Sequence, residues 1–167
     1  MIYKASLDSM TKVISLIVIF VFLFVAFKNA ESLAGTPINT KPDYLSAGII
    51  LVMISALLFG YLFSIKNYTL ENGKLTINRP IGNKSINIAE ITEVRPVHKD
   101  ELSGSIRTFG NGGFFGYYGK YYNRKLGHMT LYTTQTRNRI LIRTTRGQKI
   151  IISPDDLSLV EKLKSYM

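Results

Sequence analysis

Two long uncharged apolar stretches in the first sixty-five residues constrain this chain more than any other feature. Val13 to Phe27 runs without a charge between Lys12 and Lys28, and Tyr44 to Ile65 does the same between Asp43 and Lys66. At 1.5 Å per residue the second spans roughly 33 Å, and a helix from Met10 to Phe27 spans roughly 27 Å, close to the hydrocarbon thickness of a bilayer. A surface helix of a soluble protein carries polar residues along one face, and these stretches carry almost none. The expectation is a transmembrane hairpin over residues 1–66, with helices near 10–28 and 44–65, followed by one small domain over 67–167.

The charge is uneven, since all but one of the ten net positive charges fall after Ile65. Lys4 and Lys12 precede the first apolar stretch, while Lys66, Lys74, Arg79 and Lys84 follow the second. The loop Asn29 to Asp43 offers only Lys28 and Lys41 at its edges. Basic flanks stay in the cytoplasm, so both termini are expected there, with the loop on the far side of the membrane. The rival reading is a signal peptide cut before Gly35, after the small residues Ser32 and Ala34. The aromatic, β-branched character of the first stretch favours a retained anchor. Ala56 and Gly60 form a small-xxx-small pair that suits close helix approach. The absence of cysteine excludes disulfides and thiolate metal sites.

After Lys66 the hydrophobic period changes to that of strands. A two-residue turn at Asn72-Gly73 pairs Leu70 with Leu75 and Tyr68 with Ile77, and all four share one face. Ile140, Ile142, Ile150 and Ile152 specify a second hairpin. A three-residue loop, Thr145-Arg146-Gly147, pairs Ile142 with Ile150 and Ile140 with Ile152, with Gly147 left-handed. Ser85–Ile88, Thr92–Val97 and Met129–Thr133 read as further strands, and Pro96 marks an edge or an early end. Ser153-Pro154-Asp155-Asp156 reads as a helix start, with Leu157, Val160, Leu163 and Met167 facing the sheets.

Several segments carry a family resemblance. They are Ile88-Ala89-Glu90-Ile91-Thr92-Glu93-Val94, Phe114-Phe115-Gly116-Tyr117-Tyr118-Gly119, Leu126-Gly127-His128 and Ile151-Ile152-Ser153-Pro154-Asp155-Asp156. With the paired helices in front, Tyr68 to Tyr166 resembles the bacterial pleckstrin-homology (PH) families of small membrane proteins. The resemblance implies an α+β fold: two N-terminal transmembrane helices, then a PH-like barrel or sandwich of about seven strands with a C-terminal capping helix. It implies no established activity. The PH phosphoinositide motif needs several cations around the first hairpin turn, and Glu71-Asn72-Gly73-Lys74 supplies one.

Arg107 to Gly127 is the most unusual segment, with six glycines interleaved with Phe and Tyr. It fits neither G-x-G-x-x-G nor a P-loop, because no glycine stands five positions before Gly119 and Tyr121 occupies the Ser/Thr position. Single-strand nucleic-acid binding is disfavoured by the membrane tether. Two readings remain: a strand-connecting insertion packed on the sheet or on a second copy, or an interfacial loop. The candidate lipid- or partner-binding residues are Arg107, Phe114, Phe115, Tyr117, Tyr118, Lys120, Arg124 and Lys125 of this segment. Arg139, Arg143 and Lys149, on the outward face of the second hairpin, join them. His98 and His128 have no second ligand at metal spacing. No catalytic, cofactor or metal residues are assigned.

The expected function is a non-enzymatic binding or adaptor module at the cytoplasmic face of a bacterial inner membrane, without nucleic acid. It would engage a protein partner or its own copies. The alternative is an anionic-lipid sensor using the basic face and the aromatic segment.

Overall fold

The computed structural model describes residues 1–34 and 44–167. In chain order its elements are β1 (Ile2–Lys4), α1 (Ser9–Ala34), α2 (Tyr44–Leu62), β2 (Asn67–Glu71), β3 (Lys74–Asn78), β4 (Lys84–Asn87), β5 (Ile91–Pro96), β6 (Ile106–Gly112), β7 (Tyr117–Asn123), β8 (Gly127–Thr133), β9 (Ile140–Thr144), β10 (Lys149–Ile152) and α3 (Ser158–Lys164). α1 runs on to Ala34, past the end expected near residue 28, so the first part of the expected loop Asn29 to Asp43 is helical. The rest of that loop, 35–43, and the candidate cut before Gly35 lie outside the described residues.

Ser9–Glu31 and Tyr44–Leu62 are long and apolar enough to cross a membrane. Phe20 is 70% exposed and Val52 68%, so the rest of the chain does not cover these helices. Apolar surface of that extent requires a lipid or protein environment, which makes this a membrane-associated chain.

The domain is two sheets packed face to face, with strand orders β1-β2-β3-β4 and β5-β9-β10-β8-β7-β6. Both expected hairpins form in the expected register: Leu70 opposite Leu75 and Tyr68 opposite Ile77, Ile142 opposite Ile150 and Ile140 opposite Ile152. Asn72 and Gly73 both have positive φ, as a type I′ turn demands, and Gly147 is left-handed. β5 is an edge strand of the larger sheet and ends at Pro96. The α+β architecture is that of the sequence reading, with three more strands than the seven expected: β1, β6 and β7.

The main core joins the sheets through Tyr68, Leu75 and Ile77 on one side and Ile140, Ile142 and Ile152 on the other. A second cluster, including Leu102, Tyr121, Leu126, Leu141 and Ile151, covers the opposite face of the larger sheet. β9 and β10 are therefore buried on both faces, which explains their unbroken Ile-Leu-Ile and Ile-Ile-Ile runs. β10 lies between β9 and β8 and runs parallel to β8.

The C-terminal helix begins later than the sequence suggests. Ser153 is drawn into the core: its N–H donates to the Tyr68 hydroxyl at 3.0 Å, and its Oγ accepts from Thr134 N–H at 2.9 Å. α3 starts at Ser158, whose N–H and hydroxyl donate to Asp156 at 2.8 and 2.6 Å. Leu159, Val160 and Leu163 are buried, while Leu157 and Met167 stay exposed. The delayed start rotates the inward stripe.

The segment before α1 is woven into the domain that follows α2. β1 pairs antiparallel with β2, and the Met1 ammonium donates to the Leu70 carbonyl at 2.9 Å. Asp155 accepts from Ser6 N–H and Oγ at 3.0 and 2.6 Å. Asp8 caps α1 by accepting from Thr11 N–H at 2.8 Å, and its other oxygen accepts from Thr136 N–H at 2.9 Å. Burial alone would raise the Asp8 pKa, but the bonds from Thr11 and Thr136 outweigh it and hold the carboxyl below its usual range.

A charge network closes the rim of the larger sheet. Arg95 grips Glu101 in a fork at 2.9 and 2.7 Å and donates to Glu93 at 2.9 Å; Glu93 in turn pairs with Arg143 at 2.9 Å. The Arg95 fork holds the Glu101 pKa down to about 2. A carboxyl with a depressed folded-state pKa stabilises the fold above its ordinary value, and that contribution fades as pH falls from about 4.5 toward 2. Glu101→Gln is expected to cost about 1 kcal/mol at pH 6 and nothing measurable near pH 2. Thermal unfolding of the full chain in detergent at both pH values checks this, and an equal loss at each would refute it.

Candidate functional site

The Gly-aromatic segment is a long hairpin, not a loop. β6 and β7 pair with each other and extend the larger sheet beyond β8. Gly110 stands opposite Gly119, and a Cβ on either would lie 2.7 Å from the partner's Cα. Only glycine permits that approach, so these two glycines serve strand pairing and cradle nothing.

The hairpin tip docks on both apolar helices. Phe115 N–H donates to Ser15 Oγ of α1 at 2.9 Å, and the Tyr118 hydroxyl donates to the Gly60 carbonyl of α2 at 3.3 Å. The Phe114 ring lies on Gly60, where a Cβ would sit 2.6 Å from ring Cδ1. The close approach at Gly60, a position that in the sequence suits close helix approach, is made by this ring. Phe115 meets Tyr61 edge to face at 6.3 Å and Phe114 at 4.5 Å. Phe115 has φ of 54°, uncommon for an aromatic residue, and its bond to Ser15 helps hold that conformation. Burial raises the Tyr118 pKa, so its hydroxyl stays protonated as a donor.

The structure gathers the sequence candidates into separate places. Phe114, Phe115 and Tyr118 meet at the helix junction. Tyr117 lies under the Arg139 guanidinium at 5.8 Å, and Arg139 donates to the Gln135 carbonyl at 3.2 Å. Burial pushes the Arg139 pKa down. Arg143 is engaged with Glu93 at 2.9 Å, and Lys125 donates to the Asp100 carbonyl at 2.9 Å. Arg107 and Arg124 are exposed, the first lying beside Gly112.

Lys120 and Lys149 come together in a groove between the two sheets. Lys84 of β4, Lys120 of β7, His128 of β8 and Lys149 of β10 line about 410 Å³, and no carboxylate stands in its wall. Lys149 donates to the Leu126 carbonyl. A neighbouring hollow of about 380 Å³ adds Lys74 and Arg146 and shares Lys84 and Gln148. Its one acid, Glu90, pairs with Arg146 at 3.4 Å. Sequence reasoning missed Lys84, which reaches the groove from a strand distant along the chain, and His128, whose strand shows its groove-facing side only once β8 is packed between β7 and β10. A cation at the first residue of a short edge strand gives no local signal of such a role.

The bacterial PH domain family model matches residues 66–166. The comparisons with curated proteins and with solved structures return no match. The match spans more than half of the chain and takes in both sheets except β1, together with α3. This chain belongs to the bacterial PH domain family.

Proposed function

We propose that this chain is a non-catalytic, membrane-anchored binding module whose groove receives an acidic segment of a protein partner at the cytoplasmic face of the inner membrane. The observation that carries the reading is the convergence of Lys84, Lys120, His128 and Lys149 around one groove without a carboxylate. Packed cations without counter-ions favour an anionic ligand, and acidic side chains supply one.

Distance favours a protein over the surrounding headgroups. Lys120 lies four residues along β7 from Gly116 at the docked tip, roughly 13 Å away at strand rise. That exceeds a Debye length of about 8 Å, so the charge of the leaflet is largely screened there. Pairing of β1 with β2 supports a topology with both ends of the helical hairpin on one side, in line with the basic flanks. Anchoring also confines the module and raises the effective concentration of any membrane-bound partner.

A photo-crosslinking residue in place of Thr130, in the groove wall, tests this in native membranes. A discrete protein adduct is expected, with yield falling at least about tenfold in Lys120→Glu/Lys149→Glu. A phospholipid adduct in its place would favour the lipid-sensing reading. An unchanged yield in the double variant would remove the groove from consideration.

A further inference from the structure

A cavity of about 550 Å³ lies where α2 meets the β6–β7 hairpin, and neither the fold nor the basic groove accounts for it. Ala56 and Phe59 of α2, with Phe63 just past its end, form one wall, and Phe109 and Phe114 of the hairpin form another. Arg79, in the connection between β3 and β4, closes one end. The volume lies within the ordinary range for small-ligand pockets, roughly 300–1,000 Å³.

Arg79 is unusually placed for a cation. Its guanidinium lies over the rings of Phe63 at 5.7 Å and Tyr132 at 5.5 Å. One nitrogen, Nη2, donates to the Gly82 carbonyl; Nε is buried without a hydrogen-bond partner, and among the described residues no carboxylate pairs with the side chain. A planar guanidinium partly withdrawn from water and lacking a counter-ion suits a phosphate.

Depth then separates the polar and apolar ends. Ile81 N–H donates to the Leu62 carbonyl at 3.1 Å, which ties the Arg79 connection to the last residue of α2. Ala56 lies six residues before Leu62, roughly 9 Å further into the span. Phe59 is 59% exposed on the helix surface, so the cavity is continuous with the face that α2 offers to lipid. A charged end at the helix terminus and an apolar end within the span match the polarity of one molecule class, an anionic amphiphile.

We infer that this cavity binds one phospholipid from the surrounding bilayer, with its phosphate on Arg79 and an acyl chain along Ala56 and Phe59. The lipid would join helix to hairpin, so its occupancy would couple bilayer composition to the docking of the domain. This rests on the helices being embedded in lipid and does not depend on the partner assigned to the basic groove.

The test uses the full chain reconstituted in vesicles of phosphatidylglycerol and phosphatidylcholine, extracted into mild detergent and weighed by native mass spectrometry. Wild type is expected to retain one phospholipid per chain. Arg79→Gln should lower the retained fraction at least about fivefold, with Arg79→Lys intermediate. Ala56→Phe, which fills the cavity and leaves the cation in place, should abolish retention. Hydrogen exchange across residues 84–101, away from the cavity, reports that each variant is folded. Wild type without bound lipid, or Arg79→Gln or Ala56→Phe retaining it as wild type does, would overturn the inference. A chain released from membranes by alkaline carbonate would fail as an anchor; one that stays embedded but holds no lipid fails only here.

Discussion

Replacing Tyr68 with Phe is expected to lower the stability of the full chain by about 2–4 kcal/mol while leaving its shape unchanged. The side chain is fully buried, and its hydroxyl joins the two sheets. It donates to the Tyr132 carbonyl of β8 at 2.7 Å and accepts from Ser153 N–H just beyond β10 at 3.0 Å. Burial raises the phenol pKa, so the donor proton remains in place through the physiological range. Phenylalanine fills the same space but leaves a buried N–H and a buried C=O unpaired, each costing about 1–3 kcal/mol. Thermal unfolding in detergent measures the loss, at about 4–8 °C per kcal/mol for a domain of this size. Tyr3→Phe is the control, because that exposed hydroxyl has only a 4.0 Å contact with the Met1 sulfur. A Tyr68→Phe midpoint equal to that of Tyr3→Phe would show that the inter-sheet bridge does not stabilise the fold.

Gly60→Leu is expected to release the hairpin tip from α2. A side chain there begins 2.6 Å from Phe114 Cδ1, and the helix backbone cannot yield as readily as the ring. The ring must leave, taking with it the contact to Phe115 and straining the bond from Tyr118 to the Gly60 carbonyl. Overpacking of this kind costs about 1–3 kcal/mol, which speeds hydrogen exchange at residues 113–116 by about 5–150-fold. Leucine is the better helix former, so a weakened helix is not the competing explanation. Phe114→Ala in the same chain should restore part of the coupling, because the two changes share one contact. Exchange unaffected by Gly60→Leu would mean that Phe114 does not hold the tip.

These two positions also show how unevenly the chain can be read. Asn72-Gly73 and the Ile140–Ile152 pattern specified turn and register together, because a one-residue slip would turn every apolar side chain outward. Pro96 marked the end of an edge strand through its missing N–H. The Arg107–Gly127 segment defeated local reading, since its glycines resemble loop residues until two of them are placed face to face across a hairpin. The helix start was misplaced because Ser153, a good cap by type, had a stronger use beneath Tyr68. The groove was half legible: Lys120 and Lys149 were singled out for charge, but Lys84 and His128 belong with them only after the sheets close.

Apolar length and period, which are properties of neighbours along the chain, were enough to divide it into two lipid-compatible helices and a β-rich domain. The tertiary structure alone decided how those parts engage. β1 joins the sheet beyond the two apolar helices, Phe114 settles on Gly60, and Arg79 faces an apolar cavity with no counter-ion among the described residues. Each of these contacts joins residues more than fifteen positions apart. Their energy comes from shape, burial and missing partners at close range, which no local pattern in the chain encodes.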